Sequence, residues 1–418
     1  MEKGIADELA AHTGRPAQKL CWHLITSEYP PERGGVGDYT RLLAAGLADQ
    51  GDQVHVWCPA CAEPAPVTPG VAVHREFGAF SGKDLRRVGA DLEAFQGRRR
   101  LLVQWVPHGY GYRSMNLGFC WWLWRRAKRY GDQVDLVVHE PFLPFRPGWF
   151  SRASVRQNAA ALVHRLMTML LLQAANRVWV CIPAWEPRLR PFALGRRVPF
   201  QWLPIFSNIP VARNPKRSFE IRERYTPAAN QLLIGHFGTF GANITELLEP
   251  ILLDVAGLDM AQESEPVFLL LGDQSREYRE ELLRRHPELA TRVHATGKLP
   301  AEELSCHLAA CDLLLQPYPD GVSSRRGSFM AGLEHGKPML TTSGELTEDL
   351  WSERDGVFLA APGDTRQLVE KVRQLARDSA QRQRAGAAAR RLYEERFASS
   401  HLIQTLRQSV IEDRQCAF

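Results

Sequence analysis

The sequence has no apolar run long enough to cross a lipid bilayer. Its longest, LMTMLLLQAA, falls well short of the roughly 20 residues that a spanning helix needs. Residues 1–18 are polar and mixed in charge, and they hold no apolar signal core. From these absences we expect a soluble, cytoplasmic protein.

A strong excess of one charge is also lacking. The chain has 52 basic and 47 acidic residues, which gives a formal net charge of +5. So small an excess gives no reason to expect a nucleic-acid partner. No group of His, Asp or Glu has the spacing of metal ligands, so we predict neither a metal ion nor a cofactor.

Cysteine is sparse, with 8 residues among 418. Their scattered positions favour buried free thiols over a disulfide framework. The one close pair, Cys58 and Cys61 in WCPAC, superficially resembles a redox motif. A Pro-rich loop follows it where such a motif needs a helix, which favours a structural role.

What the sequence does contain is a regular alternation of strand-like and helical segments. Length alone favours two domains over a single core. The strand-like runs are KLCWHLIT, QVHVWCP, LLVQWVP, VDLVVHE, RVWVCIP and QWLPIF, then QLLIGHFGTF, PVFLLLGD, RVHATGKL, CDLLLQPY, KPMLTT and GVFLAAP. Buried strands alternating with helices indicate parallel sheets covered on both faces. We therefore predict an α/β protein with two doubly wound, Rossmann-like domains.

The composition also suggests where the domains divide. The stretch from 211 to 229 is polar and contains proline, so it is the predicted linker. The predicted parts are a polar extension at 1–18, a first domain at 19–210, the linker, a second domain at 230–395 and a C-terminal helix at 396–418.

Residues that follow the strands are the candidate site residues, because ligands of such sheets bind at the carboxyl ends of the strands. They are Gly34, Gly35 and Gly37; His108 and Arg113; His139 and Glu140; Gly238 and Thr239. The glycines permit close backbone approach to a ligand. Alternatives stay open for the others: His139 fits a core position, His108 a loop cap, and Glu140 an ordinary surface acid. Asp38 is predicted to be a helix N-cap.

Residues 320–342, DGVSSRRGSFMAGLEHGKPMLTT, form the most unusual segment. We predict a loop, a helix that begins near Gly327 and ends at Gly336, and a short buried strand. Ser323, Ser324, Arg325 and Arg326 stand at the start of that helix. Backbone N–H groups, the helix dipole and two guanidinium groups would converge there, which predicts an anion site.

Over residues 19–412 the chain resembles a glycosyltransferase of the GT-B fold, most like family 4. The resemblance rests on the order of several motifs. They are PPERGGVGDYTRLLAAGLADQGDQVHVWCP, VDLVVHEP, FLLLGDQ, RVHATGKLPAEELSCHLAACDLLLQPYPDG, GKPMLTT and RLYEERFASSHLIQTL. It implies two Rossmann-like domains facing across a cleft, and transfer from a nucleotide sugar with retention and without metal. The donor would bind mainly to the second domain and the acceptor to the first.

The resemblance also implies roles for single residues. Gly34 and Gly35 would lie beside the donor phosphates, and His139 would contact the sugar or the reacting centre. Gly238, Thr239, Gly297, Lys298 and Leu299 would contact the donor, the last three through the backbone at the base. The expected acceptor residues are His108, Arg113 and Glu140.

Two departures from the family pattern concern charge. Family 4 has two glutamates eight residues apart in the signature segment, and Ser323 and Ala331 occupy these positions when Gly336 anchors the register. A three-residue slip would instead place Arg326 and Glu334 there. Thr239 stands where the family has an arginine, and no lysine follows. We hypothesise that Arg325 and Arg326 supply the missing charge and hold the donor diphosphate; the alternative is that they pair with surface acids.

Aromatic residues are concentrated in the first half, at Trp105, Trp121, Trp122, Trp124 and Trp149. They would form an acceptor-binding wall or simply pack in the core. The apolar and then basic helix MNLGFCWWLWRRAKRYG would suit weak contact with an anionic membrane at the inner face, and a lipid-linked acceptor; a glycan or small molecule is equally open. The competing functions are a non-catalytic pseudo-glycosyltransferase and another GT-B enzyme, such as a nucleotide-sugar epimerase or coupling enzyme.

Overall fold

The computed structural model describes residues 19–32, 34–111, 114–147, 151–228, 230–258, 265–361 and 363–415. The strands are β1 (Cys21–Ile25), β2 (Gln53–Trp57), β3 (Val71–His74), β4 (Arg100–Trp105), β5 (Gln133–Val138), β6 (Arg177–Val180), β7 (Phe200–Trp202), β8 (Gln231–Phe237), β9 (Glu265–Leu271), β10 (Val293–Ala295), β11 (Leu313–Gln316), β12 (Met339–Thr342) and β13 (Val357–Ala360). All twelve predicted strands are present, and β3 is an addition that the sequence pattern did not indicate.

The α-helices separate these strands along the chain. They are α1 (Gly35–Asp49), α2 (Gly82–Glu93), α3 (Leu117–Arg129), α4 (Arg152–Ala174), α5 (Trp185–Leu189), α6 (Pro215–Tyr225), α7 (Ala242–Ala256), α8 (Ser275–Arg285), α9 (Ala301–Ala310), α10 (Gly327–Glu334), α11 (Thr365–Arg377), α12 (Ser379–Arg396) and α13 (Ser399–Gln415). The predicted linker thus contains a helix, α6. None of the helices, in the residues described, is long and apolar enough to span a membrane.

The strands form two sheets, as the alternation predicted. The first has the order β3-β2-β1-β4-β5-β6-β7 and the second β10-β9-β8-β11-β12-β13. The registered pairs, such as Leu24 with Val56 and Leu314 with Met339, are parallel. The strand order reverses between β1 and β4 in the first sheet and between β8 and β11 in the second, and ligands of such sheets bind at these points.

By its internal contacts the chain forms two compact units. Unit 1 comprises the described residues of Met1–Leu136, Phe142–Arg177 and Arg407–Phe418, and unit 2 those of Val137–Pro141 and Val178–Leu406. The C-terminal end of α13 therefore belongs to unit 1. There Arg407 pairs with Asp52 at 2.9 Å, and Asp413 pairs with both Arg100 and Arg177 at 3.0 Å.

The side chains of strand β8 show that the second sheet is covered on both faces. Leu233 packs into one buried apolar cluster, whereas its neighbours Leu232 and Ile234 pack into another. Successive side chains of a strand point to opposite faces, so both faces of β8 are buried. This confirms the prediction made from its continuous apolar sequence.

The cysteines of the described chain carry no disulfide. All seven of them are free, including Cys58 and Cys61 of the WCPAC motif. Cys58 is buried, and burial raises the pKa of its thiol to about 12. A thiol that is so hard to ionise is a poor nucleophile, which supports the structural interpretation of this pair.

Three histidines stack side by side on β1, β2 and β3. The rings of His23 and His55 are 5.2 Å apart, and His55 Nδ1 lies 2.9 Å from His74 Nε2. Trp57 Nε1 donates a hydrogen bond to His23 Nδ1 at 3.2 Å, so this nitrogen is an acceptor and unprotonated. Burial is the main cause that lowers the pKa of His23 to about 3 and of His55 to about 4, and it also lowers that of His74.

This stack predicts a loss of stability in mild acid. The histidines are neutral when folded and take up protons near pH 6.5 when unfolded, so the unfolded state binds more protons below that pH. The stabilisation is complete above about pH 6.5 and is lost as pH falls towards the folded-state pKa values, by on the order of 1–2 kcal/mol for each of His23 and His55 between pH 6.5 and pH 5. Urea unfolding at pH 7 and pH 5 measures it.

The variant His55→Asn should show a weaker dependence of the urea midpoint on pH than the wild type. The control His401→Asn should keep the wild-type dependence, because His401 is exposed on α13. If the urea midpoint shifted equally between pH 7 and pH 5 in all three proteins, the loss of stability in acid would not come from the stacked histidines.

Candidate functional site

The glycine loop of unit 1 holds a carboxylate of the chain itself. Glu28, which follows β1, accepts hydrogen bonds from Val36 N at 2.8 Å and Gly37 N at 2.9 Å. A Cβ on Gly34 would overlap this carboxyl group, at 2.1 Å, so Gly34 is needed for the close approach of Glu28. Two N–H groups at the start of α1, next to the glycines expected beside a ligand phosphate, thus bind Glu28, a residue that the sequence did not indicate.

Of the other candidates of unit 1, Gly35 follows β1 and His108 follows β4, the two strands between which the strand order reverses. Gly34 is the N-cap of α1, so the prediction that Asp38 caps this helix was wrong; Asp38 lies in its first turn. A Cβ on Gly35 would meet nothing within 4 Å among the described residues. His108 follows β4 and is exposed. Burial raises the pKa of Glu28, while the N–H groups of Gly37 and Val36 and, to a smaller extent, His108 lower it. Arg113 lies outside the described residues.

In unit 2, the loop after β8 is closely packed by the end of β9. Gly238 N donates a hydrogen bond to Leu271 O at 3.1 Å. Gly272 directly follows β9 and has a φ of +127°. A Cβ on Gly272 would lie only 2.3 Å from Gly238 O. Only glycine fits at this position. Gly238 and Thr239 are therefore held in place by main-chain packing at the second switch point.

His236, near the end of β8, was missed in the sequence. Its Nδ1 is 2.8 Å from Leu315 O, so it donates that hydrogen bond and ties β8 to β11. Burial lowers the pKa of His236 to about 4, although hydrogen bonds with the backbone of Leu315 and Thr239 act to raise it. A Cβ on Gly238 would lie 4.0 Å from His236 Nε2, so a neutral imidazole borders the glycine loop.

The two arginines before α10 share one carboxylate. Arg325 pairs with Asp320 at 2.5 Å, and Arg326 pairs with the second oxygen of the same carboxyl group. Arg325 Nη1 also lies 3.5 Å from Glu140 Oε1. The prediction that α10 begins at Gly327 is confirmed. The structure thus brings the HEP motif and the arginine segment together, which sequence spacing could not show.

A continuous set of contacts joins these arginines to the glycine loop of β8. The guanidinium of Arg326 lies 4.5 Å from the ring centre of Tyr318. Tyr318 Oη is 3.2 Å from Ser328 Oγ at the start of α10. A Cβ on Gly238 would lie 3.7 Å from the same Ser328 oxygen. The loop that lacks the family's arginine is therefore a near neighbour of the arginine-bearing helix start.

The arginines keep hydrogen-bonding capacity beyond Asp320. Arg325 Nε and Arg326 Nε are both buried and have no hydrogen-bond partner among the described residues. Ser323 Oγ, at the position of the family's first glutamate, is likewise buried without a partner in that part of the chain. Since buried polar groups are usually paired, these three atoms mark a place where a polar ligand would be favourable.

Ser324, in contrast, is held by the chain on several sides. Its N–H donates to Glu348 Oε1 at 2.9 Å, and its hydroxyl donates to Cys181 O at 2.8 Å. Trp351 Nε1 donates to the other Glu348 oxygen at 2.8 Å. Burial raises the pKa of Glu348. These bonds favour a structural function for Ser324, and Glu348 is a third residue, after Glu28 and His236, that the sequence did not indicate.

His139 directly follows β5 and is almost fully buried, at 8% exposure. Its Nδ1 lies 3.7 Å from Cys181 Sγ, and its carbonyl accepts from Trp185 Nε1 at 3.2 Å. Burial lowers its pKa to about 3, so the imidazole is neutral near pH 7. A neutral ring acts as a hydrogen-bond donor or acceptor rather than as a cation. Its predicted contact with the reacting centre stays a prediction.

The other end of α10 has a packing function. Gly336, with φ +63°, follows the helix, and its N–H donates to Leu333 O at 2.9 Å. Lys337 Nζ donates to Ala309 O and Cys311 O at 2.6 and 2.7 Å, so it satisfies carbonyls at the end of α9. Glu334 lies about 12 Å along the helix from Arg326. Burial raises the pKa of Glu334, and a hydrogen bond with the Ser207 side chain only partly offsets this effect.

The segment predicted to contact the donor base follows β10. Gly297 has a φ of +71°, which favours glycine, and its N–H donates to Ser275 Oγ at 2.9 Å. A Cβ there would lie 3.0 Å from Arg276 Nε. Lys298 is exposed, and Leu299 packs partly against the core of unit 2.

The aromatic residues differ in burial. Trp105 is buried and stacks on Tyr110 at 5.3 Å, so it packs in the core. Trp121 is 49% exposed and stacks on Trp124 at 4.5 Å. Trp149 lies outside the described residues. No group of three or more potential metal ligands occurs within the described residues.

Comparison with known proteins assigns both halves of the chain. Residues 33–169 match the family model described as "Glycosyltransferase Family 4", and residues 232–378 match "Glycosyl transferases group 1". A search of curated proteins finds no significant match. Sucrose-phosphate synthase from Thermosynechococcus elongatus is similar in structure, with a TM-score of 0.70 at 17% identity over 96% of this chain and 100% of that one.

Two further solved structures share the fold. HepE from Anabaena, in complex with UDP and glucose, has a TM-score of 0.63 at 15% identity, covering 94% of this chain and 100% of HepE. WaaG, a glycosyltransferase involved in lipopolysaccharide biosynthesis, has a TM-score of 0.61 at 17% identity, covering 93% and 98%. The chain is therefore a glycosyltransferase with the GT-B fold that resembles family 4.

Proposed function

We propose that this glycosyltransferase moves a sugar from a nucleotide-sugar donor to an acceptor hydroxyl, with retention of anomeric configuration and without a metal ion. The single observation that carries the proposal is the position of Arg325 and Arg326. They stand beside the start of α10, near the glycine loop of β8, and each has a buried Nε with no partner among the described residues. The complexes of HepE with UDP and with UDP-glucose support a nucleotide-sugar donor.

In the proposed complex the donor diphosphate binds to both guanidinium groups. Arginine donates parallel hydrogen bonds to phosphate oxygens and keeps its charge at all relevant pH values. The N–H groups at the start of α10 and the hydroxyl of Ser328 add neutral donors on the side of Gly238. Asp320 sets the direction of the two side chains, and its own charge is already balanced by them.

The reaction then needs little beyond electrostatic stabilisation. The bond between the anomeric carbon and the phosphate oxygen breaks, and the arginines neutralise the charge that develops on the diphosphate. The acceptor oxygen forms the new bond from the same face of the sugar. Its proton passes to an oxygen of the leaving phosphate, so no carboxylate base is required. The loss of the family's glutamates then affects sugar recognition more than the chemical step.

The first prediction from the proposed function concerns Arg325 and Arg326. The double variant Arg325→Ala/Arg326→Ala should bind nucleoside diphosphates much more weakly, while its affinity for the nucleoside changes little. Each lost charge-assisted contact should cost on the order of 1.5–3 kcal/mol. Calorimetric titration with UDP and with uridine measures both affinities.

The matched control is Arg217→Ala/Arg285→Ala. These arginines of unit 2 are also ion-paired, with Glu303 and Glu249, but lie on α6 and α8. The control should keep wild-type affinity for the diphosphate. If the double variant at 325 and 326 also kept it, the proposed diphosphate site would be wrong.

A second prediction tests whether His139 acts in turnover. If it contacts the reacting sugar, His139→Ala should lose about a hundredfold in rate, which corresponds to roughly 3 kcal/mol. Its melting temperature should change less than that of the control His307→Ala, which removes another buried histidine of unit 2. Nucleotide release and thermal unfolding are measured on the same preparations. An early-melting His139→Ala protein with a normal rate per folded molecule would exclude His139 from the reaction.

The third prediction concerns metal. Because two arginines carry the positive charge at the proposed diphosphate site, release of nucleotide from the donor should continue at an undiminished rate in excess EDTA. The assay is run before and after addition of MgCl2 or MnCl2. Activity that disappears in EDTA and returns with either ion would refute metal independence.

A further inference from the structure

Helices α3 and α4 of unit 1 contain no acidic residue. Residues 101–131 contain five Arg and Lys and no Asp or Glu, and residues 141–185 contain five Arg and again no acid. Arg126 is balanced by Asp132 and Glu93, and Arg177 by Asp413. Arg125, Lys128 and Arg129 on α3, and Arg156 on α4, are exposed.

The same helices expose an apolar stripe. On α4, Val155, Leu162 and Leu166 are 52%, 55% and 42% exposed, and their spacing of seven and four residues places them on one side of the helix. On α3, Leu117 and Trp121 are 39% and 49% exposed and four residues apart. Of the eleven large hydrophobic residues exposed in the described chain, eight lie between Met115 and Leu166.

The two stripes lie on neighbouring helices, since α3 and α4 pack against each other. His164 Nε2 of α4 donates a hydrogen bond to Ser114 O, just before α3, at 2.7 Å. The guanidinium of Arg165 lies 3.8 Å from the ring centre of Phe145, which is itself 46% exposed. We call the exposed residues Leu117, Trp121, Val155, Leu162 and Leu166, with Arg125, Lys128, Arg129 and Arg156, the α3–α4 surface.

We propose that the α3–α4 surface docks on an anionic lipid bilayer. Apolar and aromatic side chains beside Lys and Arg on exposed helices are the pattern of a helix lying in the membrane interface. The apolar stripe would enter the boundary between headgroups and acyl chains, while the cations would contact anionic headgroups. A second copy of the chain is a poorer occupant, because two such surfaces would bring only positive charges together. This inference is independent of the proposed donor site.

The test uses the full chain and sedimentation with vesicles. Wild-type protein should bind vesicles of equimolar phosphatidylcholine and phosphatidylglycerol and should bind pure phosphatidylcholine much less. The double variant Trp121→Gln/Leu162→Gln should bind the anionic vesicles roughly tenfold more weakly, since it loses the deepest apolar contacts. The double variant Arg125→Gln/Arg129→Gln should bind more weakly at low salt and show a smaller salt dependence than the wild type, because Lys128 and Arg156 remain.

The matched control is Phe219→Gln, which removes a phenylalanine that is 61% exposed on α6 of unit 2. It should bind as the wild type does. All the substituted side chains are exposed, so the thermal unfolding of each variant should match that of the wild type.

Three results would overturn the proposal. The first is equal binding of wild-type protein to neutral and anionic vesicles. The second is unchanged binding by both double variants. The third is a wild-type dimer in sedimentation velocity that Trp121→Gln/Leu162→Gln dissociates, without any vesicle binding, which would make the surface an interface between copies.

Discussion

The carboxylate of Asp320 is the constraint on which the candidate site of unit 2 depends. Two adjacent guanidinium groups repel each other, and partial burial strengthens that repulsion because water screens it less. Asp320 compensates by pairing with both. Its backbone is fixed in turn, because a Cβ on Gly344 would lie 2.4 Å from Asp320 C and Leu346 N donates to Asp320 O at 3.0 Å.

The segment around α10 separates into a part that packs and a part that carries charge. Gly336 and Lys337 complete the ends of α10 and α9 through backbone hydrogen bonds, so they are required for the fold whatever the ligand is. In the register anchored at Gly336, the positions expected for the two family glutamates hold Ser323 and Ala331, both fully buried. Arg325 and Arg326 stand just before the helix, so the start of this segment carries guanidinium groups where the family resemblance implies a carboxylate.

The start of helix α1 in unit 1 differs from the start of α10 in unit 2. The N–H groups of Val36 and Gly37 bind the carboxylate of Glu28, so the positive end of α1 is already balanced within the unit. Charge in unit 1 is concentrated elsewhere, on the acid-free helices α3 and α4. The two units share a sheet topology with a switch point, but they differ in where their positive side chains are concentrated.

The sequence alone determined the class of fold. Continuous apolar runs separated by helical periods can be buried only as parallel strands covered on both faces, and all twelve predicted strands were found. It missed β3, whose VAVH sequence is short and only half-buried. It also located the start of α10 correctly, because the loop residues and Gly336 set its limits.

Only the tertiary structure decided which side chains meet. Glu140 and Arg325 are far apart in sequence, and their proximity follows from the segment Val137–Pro141 and the β11–α10 loop both lying in unit 2. The occupation of the first glycine loop by Glu28, and the pairing of both arginines with one aspartate, follow from strand order and side-chain direction. Local pattern encodes burial and periodicity, whereas contacts between distant residues depend on how strands are ordered in the sheet, which no single segment specifies.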